Sequence, residues 1–324
     1  MEHPFKRKMM NRKLSFVIPC YRSEKTILDV VSEIESTVPK RKEFDYEIIL
    51  VNDCSPDNVW EVIQKKAKED HHIKGISFSK NFGQHAALLA GYRQAEGDII
   101  VSLDDDGQTP ANVVYELVDE LDKGYDIVYA TYPEVKQSWF RRMGSDFAKK
   151  MSDYMFDIKN DIKASSYFVA KRFLIQEMIK YQNPYPYMVG LVLRATRNFS
   201  VVPVEQRERT VGKSGYNLKS LIKLWVNGFT AFSVKPLEIG IYLGCLFGFA
   251  GIVFALITII RKLFISPNLS AGWSSTISVI LVLGGVILFM LGLIGEYVGR
   301  IYICINNSPQ YVIKEKIGIE KNNI

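Results

Sequence analysis

Two uncharged stretches constrain this chain before anything else does. Ile239 to Ile260 and Leu263 to Gly295 hold no Asp, Glu, Lys or Arg, and Ser266-Pro267-Asn268 interrupts the second near its start. At 1.5 Å per residue, each is long enough to cross ~30 Å of hydrocarbon. Gly and large aliphatic residues surround each on all faces, a composition that suits lipid and not a half-wetted helix. The pattern predicts two transmembrane helices, 236–260 and 275–299, with a short loop between them. The competing reading is a pair of core helices in a soluble protein.

The flanking charges set an orientation. Arg207, Arg209, Lys213, Lys219, Lys223 and Lys235 precede the first span, and Arg300, Lys314, Lys316 and Lys321 follow the second. They outnumber Arg261 and Lys262 in the connecting loop, which places both termini in the cytoplasm. Residues 1–13 form a basic tail (Lys6, Arg7, Lys8, Arg12, Lys13). The run that follows, Leu14 to Pro19, is too short and too strand-like for a signal peptide. The net charge of +6 fits an anionic lipid surface and phosphate ligands; nucleic acid is not expected as a partner. Cys20, Cys54, Cys245 and Cys304 are far apart and lack metal or redox spacing, so reduced thiols are expected.

From Leu14 to Ala130 strand and helix signals alternate. Leu14–Pro19, Tyr46–Val51, Ile73–Phe78, Ile99–Leu103 and Asp126–Ala130 read as strands, and Ser166–Ala170 as a sixth. Thr26–Val38 reads as a helix with Ile27, Val30, Val31 and Ile34 on one face. Pro110–Lys123 reads as another, capped by Thr109. Such alternation predicts an α/β domain with a mostly parallel sheet and helices on both faces. Tyr216 to Phe232 carries Leu218, Leu221, Ile222, Trp225, Phe229 and Phe232 at helical spacing, with Lys219 and Lys223 elsewhere. That pattern describes an amphipathic helix in the bilayer interface.

Asp104-Asp105-Asp106 follows the strand Ile99–Leu103, two residues before Gln108. Carboxylates at a strand's carboxyl end sit where α/β sheets bind ligands. Three adjacent like charges are costly unless a cation lies among them; a hard divalent ion holding a diphosphate would supply it.

The chain resembles the family 2 glycosyltransferases over nearly its whole length. Within them it is most similar to the polyprenyl-phosphate glycosyltransferases, relatives of dolichol-phosphate mannose synthase. The matching stretches are Phe16–Tyr21, Val51–Asp57, Asn81–Gln84, Leu103–Gln108, Gly212–Tyr216 and Gly295–Tyr302. The resemblance implies a GT-A catalytic domain over 14–215 and a juxtamembrane helix over 216–235. The two spans and a cytoplasmic tail, 300–324, would follow. It implies a nucleotide pocket lined by Pro19, Tyr21, Glu24, Asp53, Asp104 and Asp105, with Asp53 on the base; a local Asx-turn is the plainer role for Asp53. Asp104, Asp106 and Gln108 would hold Mg²⁺ or Mn²⁺. Many relatives have Ala at the place of Asp105.

Arg141, Arg142, Arg207, Arg209 and Lys213 form a cationic set beyond that site. By resemblance Arg141, Arg142, Arg209, Lys213 and Ser214 meet the acceptor phosphate, and Asp104, Asp106, Arg209 and Lys213 carry catalysis. Relatives with a Thr-Gly-Asp segment hold a proposed base there; this chain reads Ala164-Ser165-Ser166-Tyr167, with Asp161 out of register. A sugar hydroxyl needs a base, whereas a phosphate monoester, with a second pKa of about 6, is already largely dianionic. The expected reaction is therefore inverting transfer of one sugar from a nucleotide sugar, UDP-linked, to a polyprenyl phosphate such as undecaprenyl phosphate. It would occur at the cytoplasmic face of the cell membrane, in cell-envelope glycan modification, and the resemblance implies a homo-oligomer, a tetramer. The rivals are a silent GT-A module partnering a flippase and a processive polysaccharide synthase. The latter's usual Gln-x-x-Arg-Trp is missing, since Arg precedes none of Trp60, Trp139, Trp225 and Trp273. Glu296 and Arg300, at i and i+4, read as a structural pair.

Overall fold

A computed structural model of the chain describes residues 12–132, 165–205, 207, 235–264 and 272–319. They divide into two compact units. One holds the sheet and its helices and takes in the chain from Pro309 onward; the other holds the two long apolar helices.

The sheet contains β1 (Arg12–Cys20), β2 (Phe44–Asn52), β3 (Ile73–Phe78), β4 (Ile99–Ser102), β5 (Ile127–Thr131), β6 (Phe168–Lys171), β7 (Phe199–Pro203) and β8 (Ile313–Ile317). Their order is β7-β5-β6-β4-β1-β2-β3-β8. The centre is parallel: β1 pairs with β2 and β4, and β2 with β3. β6 enters antiparallel between β4 and β5, so these two strands are not neighbours.

The core follows from alternation along β1. Leu14, Phe16, Ile18 and Cys20 pack in one apolar cluster with Ile27, Val30, Val31 and Ile34 of α1 (Ile27–Thr37). Val114, Leu117, Val118 and Leu121 of α4 (Val114–Leu121) join the same cluster. Full burial of each such side chain is worth about 1.5–3 kcal/mol. Val17 points to the other face, against α3 (Gln84–Tyr92). There a Cβ on Gly91 would stand 2.3 Å from Val17 Cγ1, so only glycine admits the helix this close. Helices therefore cover both faces of the central strands, which is why those strands are apolar throughout. α2 (Val59–Glu69), α5 (Arg172–Met178) and α6 (Met188–Ala195) complete this unit.

One helix start differs from expectation. Pro110 is extended (ψ 115°), a 3₁₀ turn occupies Ala111–Val113, and α4 begins at Val114. Among the described residues the buried Thr109 hydroxyl has no hydrogen-bond partner, so it does not cap this helix.

The C-terminal region is a larger departure. Residues 300–324 read as a tail, yet β8 pairs antiparallel with β3 and forms one edge of the sheet. Trp60 Nε1 and Gln64 Nε2 donate to Glu315 Oε2 at 2.9 and 3.2 Å. The Tyr311 ring stacks on Phe78 with centroids 5.1 Å apart. Gln310 Nε2 donates to the carbonyls of Tyr181 and Asn183 at 3.2 and 2.9 Å.

In the second unit, α7 (Lys235–Phe264) and α8 (Trp273–Ile305) extend beyond the two expected spans at both ends. The most apolar windows, Lys235–Phe254 and Val282–Ile305, are long and apolar enough to cross a membrane. Ile241, Tyr242, Phe249, Leu288 and Phe289 are exposed there, unlike the side chains of a soluble protein's core helices. Gly240 of α7 lies against the flexible end of the Met290 side chain of α8, which would have to shift to admit a Cβ there. Glu296 and Arg300 form the expected i,i+4 pair at 2.9 Å.

Candidate active site

The carboxyl ends of β1, β2, β4 and β5 and the amino end of antiparallel β6 bring their loops to one rim of the sheet. Asp104 lies on the loop after β4. Gln84 Nε2, at the start of α3, donates to its Oδ1 at 2.9 Å. The Ser166 hydroxyl, just before β6, donates to its Oδ2. Both bonds orient the Asp104 carboxylate. Ser166 stands where the sequence lacks the relatives' carboxylate.

Asp105 turns away from its two neighbours. Its Oδ2 accepts the Tyr21 N–H at 2.9 Å, and its carbonyl accepts the Thr26 hydroxyl at 2.6 Å. It therefore fastens the β1–α1 loop to the β4 loop. Burial pushes this carboxyl up to about 6, against the hydrogen bond from the Tyr21 amide; the charges of Asp104 and Asp106 add to the rise. Asp106 Oδ1 accepts the Gln108 N–H at 3.0 Å across Gly107, whose φ of +70° an L side chain rarely adopts.

Asp53 follows β2 and its two oxygens accept the backbone N–H groups of Phe82 and Gly83 at 2.7 and 2.8 Å. The local side-chain-to-backbone bond belongs instead to Asn52, whose Oδ1 accepts the N–H of Ser55, three residues on, at 2.9 Å. Burial outweighs the two amide donors and raises Asp53 to about 6. Glu24 is tied to the start of α2: its N–H donates to Asp57 Oδ2 at 3.0 Å, and its carboxylate accepts from Asn58. Tyr21 is exposed and Pro19 is buried within β1. His85, beside Gln84, packs edge-on to Tyr187 with centroids 5.7 Å apart. Burial lowers it to about 4, so it is neutral at physiological pH.

Arg207 departs from the cationic set. Its guanidinium forks onto both oxygens of Glu33 on α1, at 2.8 Å each, and its N–H donates to the Gln108 carbonyl at 3.0 Å. It clips the chain leading to residue 209 onto the acidic loop. Arg141, Arg142, Arg209, Lys213 and Ser214 lie outside the described residues, as does the expected amphipathic helix 216–235 save Lys235.

The donor chemistry of this rim fits a hard divalent cation. Oxygen-bearing Asp104, Asp106 and Gln108 share one loop, and Asp104 and Asp106 both press on the phenol of Tyr132 electrostatically. Asp70, His71 and His72 bring three ligand atoms within 4.8 Å of one another. They precede β3, at the amino ends of the parallel strands and away from this rim.

Sequence reasoning missed Ser166 and Tyr132 and gave Gln84 no role. The Asn81–Gln84 stretch was the available signal for Gln84, and the Ala164–Tyr167 substitution the signal for Ser166.

An open α/β sheet with acidic loops at the carboxyl ends of its parallel strands is the GT-A fold of nucleotide-sugar transferases. Residues 15–179 match the glycosyl transferase family 2 model, and residues 235–301 match the GtrB C-terminal hairpin. The chain belongs to glycosyl transferase family 2. It is 32% identical to YkcC of Bacillus subtilis (strain 168), an uncharacterized glycosyltransferase, over 96% of both chains. It is 31% identical to the undecaprenyl-phosphate 4-deoxy-4-formamido-L-arabinose transferase of Proteus mirabilis (strain HI4320), again over 96% of both. Among solved structures, it aligns with glucosyl-3-phosphoglycerate synthase from Mycobacterium tuberculosis in complex with Mn²⁺ and UDP-glucose. That alignment has a TM-score of 0.51 and 20% identity over 68% of this chain and 77% of the other, a likeness of fold.

Proposed function

We propose that this protein transfers one sugar, with inversion, from a nucleotide diphosphate sugar to polyprenyl phosphate, undecaprenyl phosphate in a bacterial membrane. The observation that carries this is the identity of the side chain hydrogen-bonded to Asp104 from the β6 side: Ser166, a hydroxyl and not a carboxylate. A phosphate acceptor needs no base. The two apolar helices, and the undecaprenyl phosphate named for the Proteus mirabilis relative, support a lipid-linked acceptor.

In the reaction, a phosphate oxygen attacks the anomeric carbon in line. The bond to the donor's diphosphate breaks, and its electron pair leaves on the diphosphate, UDP in our reading. Asp104, Asp106 and Gln108 would hold Mg²⁺ or Mn²⁺, which supplies charge neutralisation for the departing diphosphate. Gln84 and Ser166 orient Asp104, while Asp105 and Asp53 hold the loops that line the nucleotide pocket with Pro19, Tyr21 and Glu24. Arg141, Arg142, Arg209, Lys213 and Ser214 receive the acceptor phosphate; a fork or point charge suits that anion.

Both helices would span the membrane, with the catalytic unit and both termini cytoplasmic. Pairing of β8 with β3 supports this, because the chain after α8 rejoins the sheet that precedes α7. The product would serve cell-envelope glycan modification, and the protein would assemble as a homo-oligomer, a tetramer by resemblance.

Mass spectrometry of undecaprenyl phosphate incubated with the protein and a panel of nucleotide sugars tests the reaction. A glycosyl-phospholipid product from one donor is expected. No product from any donor, with the donors still bound, would identify a silent module instead. Arg209→Ala should lower acceptor-side kcat/KM about tenfold or more, a loss of ~1.5–3 kcal/mol for a charge-assisted phosphate contact. If only the donor's apparent affinity fell, Arg209 would belong to the nucleotide.

A further inference from the structure

We propose that Tyr132 is a substrate-contacting residue whose phenol donates a hydrogen bond to a phosphate oxygen seated at the Asp104–Asp106 loop. This rests on the phosphate-handling reaction proposed above and assigns to it a side chain from β5.

Tyr132 is the first residue beyond β5, which ends at Thr131, and so stands on the same rim as Asp104 and Ser166. Its hydroxyl is buried and has no hydrogen-bond partner among the described residues. An unsatisfied buried hydroxyl is destabilising. Native proteins keep few of them, and each calls for an explanation in a ligand, an ordered water or strain. The neighbourhood indicates what the hydroxyl awaits. Asp104 and Asp106 lie close enough to act on the phenol electrostatically, and a phenol O–H can donate. Among the described residues neither carboxylate accepts its proton, and a cation held by that loop would bring a phosphate oxygen within reach as the acceptor. Tyr167, wholly buried, also has an unpartnered hydroxyl and lies close enough to interact electrostatically with Tyr132. A water shared by the two phenols is therefore the competing explanation.

The phosphate belongs either to the donor's diphosphate or to the lipid acceptor, and Tyr132→Phe separates these sources because it removes one oxygen and keeps the ring. Three measurements are made on full-length wild type and variant: melting temperature, calorimetric titration with UDP, GDP and pyrophosphate in Mn²⁺, and transfer kinetics with donor and acceptor varied separately. The variant should melt at or above the wild-type temperature, since it relieves an unsatisfied group. If the diphosphate is the ligand, anion affinity and donor kcat/KM should each fall about tenfold. If the acceptor phosphate is the ligand, only acceptor kcat/KM should fall by that factor. A lower melting temperature with unchanged binding and kinetics is the signature of the shared water and overturns the proposal. Unchanged values throughout also overturn it. A wild type that binds the anions but transfers nothing would refute the proposed reaction, leaving Tyr132 to be judged on binding. A wild type that does neither overturns both.

Discussion

Asp106→Asn is expected to abolish sugar transfer and to leave the protein folded. Asp106 sits on a loop beyond β4 and not in the apolar core. It accepts the Gln108 N–H at 3.0 Å, which the Asn carbonyl can still do. What is lost is one negative charge from the set proposed to hold the cation. Removing a single preorganised electrostatic group from a reacting centre commonly costs on the order of 10²–10³ in rate, and loss of a metal ligand can cost more. Circular dichroism and melting temperature should match wild type while product formation falls below detection. Activity near wild type in saturating Mn²⁺ and also in low Mg²⁺ would refute the metal assignment.

The strands were legible because the sheet centre is buried on both faces. Leu14–Pro19, Tyr46–Val51 and Ile73–Phe78 could be read as apolar runs, and the observed strands differ only at their ends. β8 was not legible. Ile313, Glu315 and Ile317 alternate with Lys314 and Lys316 over only five residues, and its partner β3 lies far upstream. Alternation that short, with charges on both faces, is what a solvated tail also shows. The acidic loop was legible from its position after a strand, but the side chains that orient it were not. Ser166 and Gln84 reach Asp104 from β6 and α3, and no sequence spacing encodes a hydrogen bond across a sheet. Asp105 shows the same limit: adjacent to two proposed ligands, it is turned by the Tyr21 amide to a different task.

A second large effect is expected at the opposite end of the sheet, where Glu47 is 2% exposed on β2. Its Oε2 lies 2.8 Å from Lys74 Nζ and 3.1 Å from Lys13 Nζ. Its Oε1 accepts from the Ser15 hydroxyl at 2.5 Å and the Glu96 N–H at 2.7 Å. Burial alone would raise the Glu47 pKa; the bonds from Lys74, Ser15 and the Glu96 amide overcome it and hold the carboxyl below its ordinary value. The sign follows from linkage. A carboxyl depressed in the folded state binds fewer protons there than in the unfolded chain. Its stabilisation is complete above the unfolded pKa of about 4.3 and is lost as pH falls through the lower folded value. Glu47→Leu leaves Lys74, only 13% exposed, and Lys13 with Glu96 as their remaining partner. Breaking one side of a buried ion pair costs about 3–5 kcal/mol, which for a unit of this size lowers the melting temperature by roughly 10 °C. Removing both partners should cost less, so Glu47→Leu with Lys74→Met should melt above Glu47→Leu alone. Thermal unfolding of the full chain in detergent, followed from pH 7 to pH 3, checks both claims, and the acid limb should flatten in the single variant. A shift of about 2 °C or less, or a double variant that melts lower still, would mean that Glu47 is not what holds this end of the sheet together.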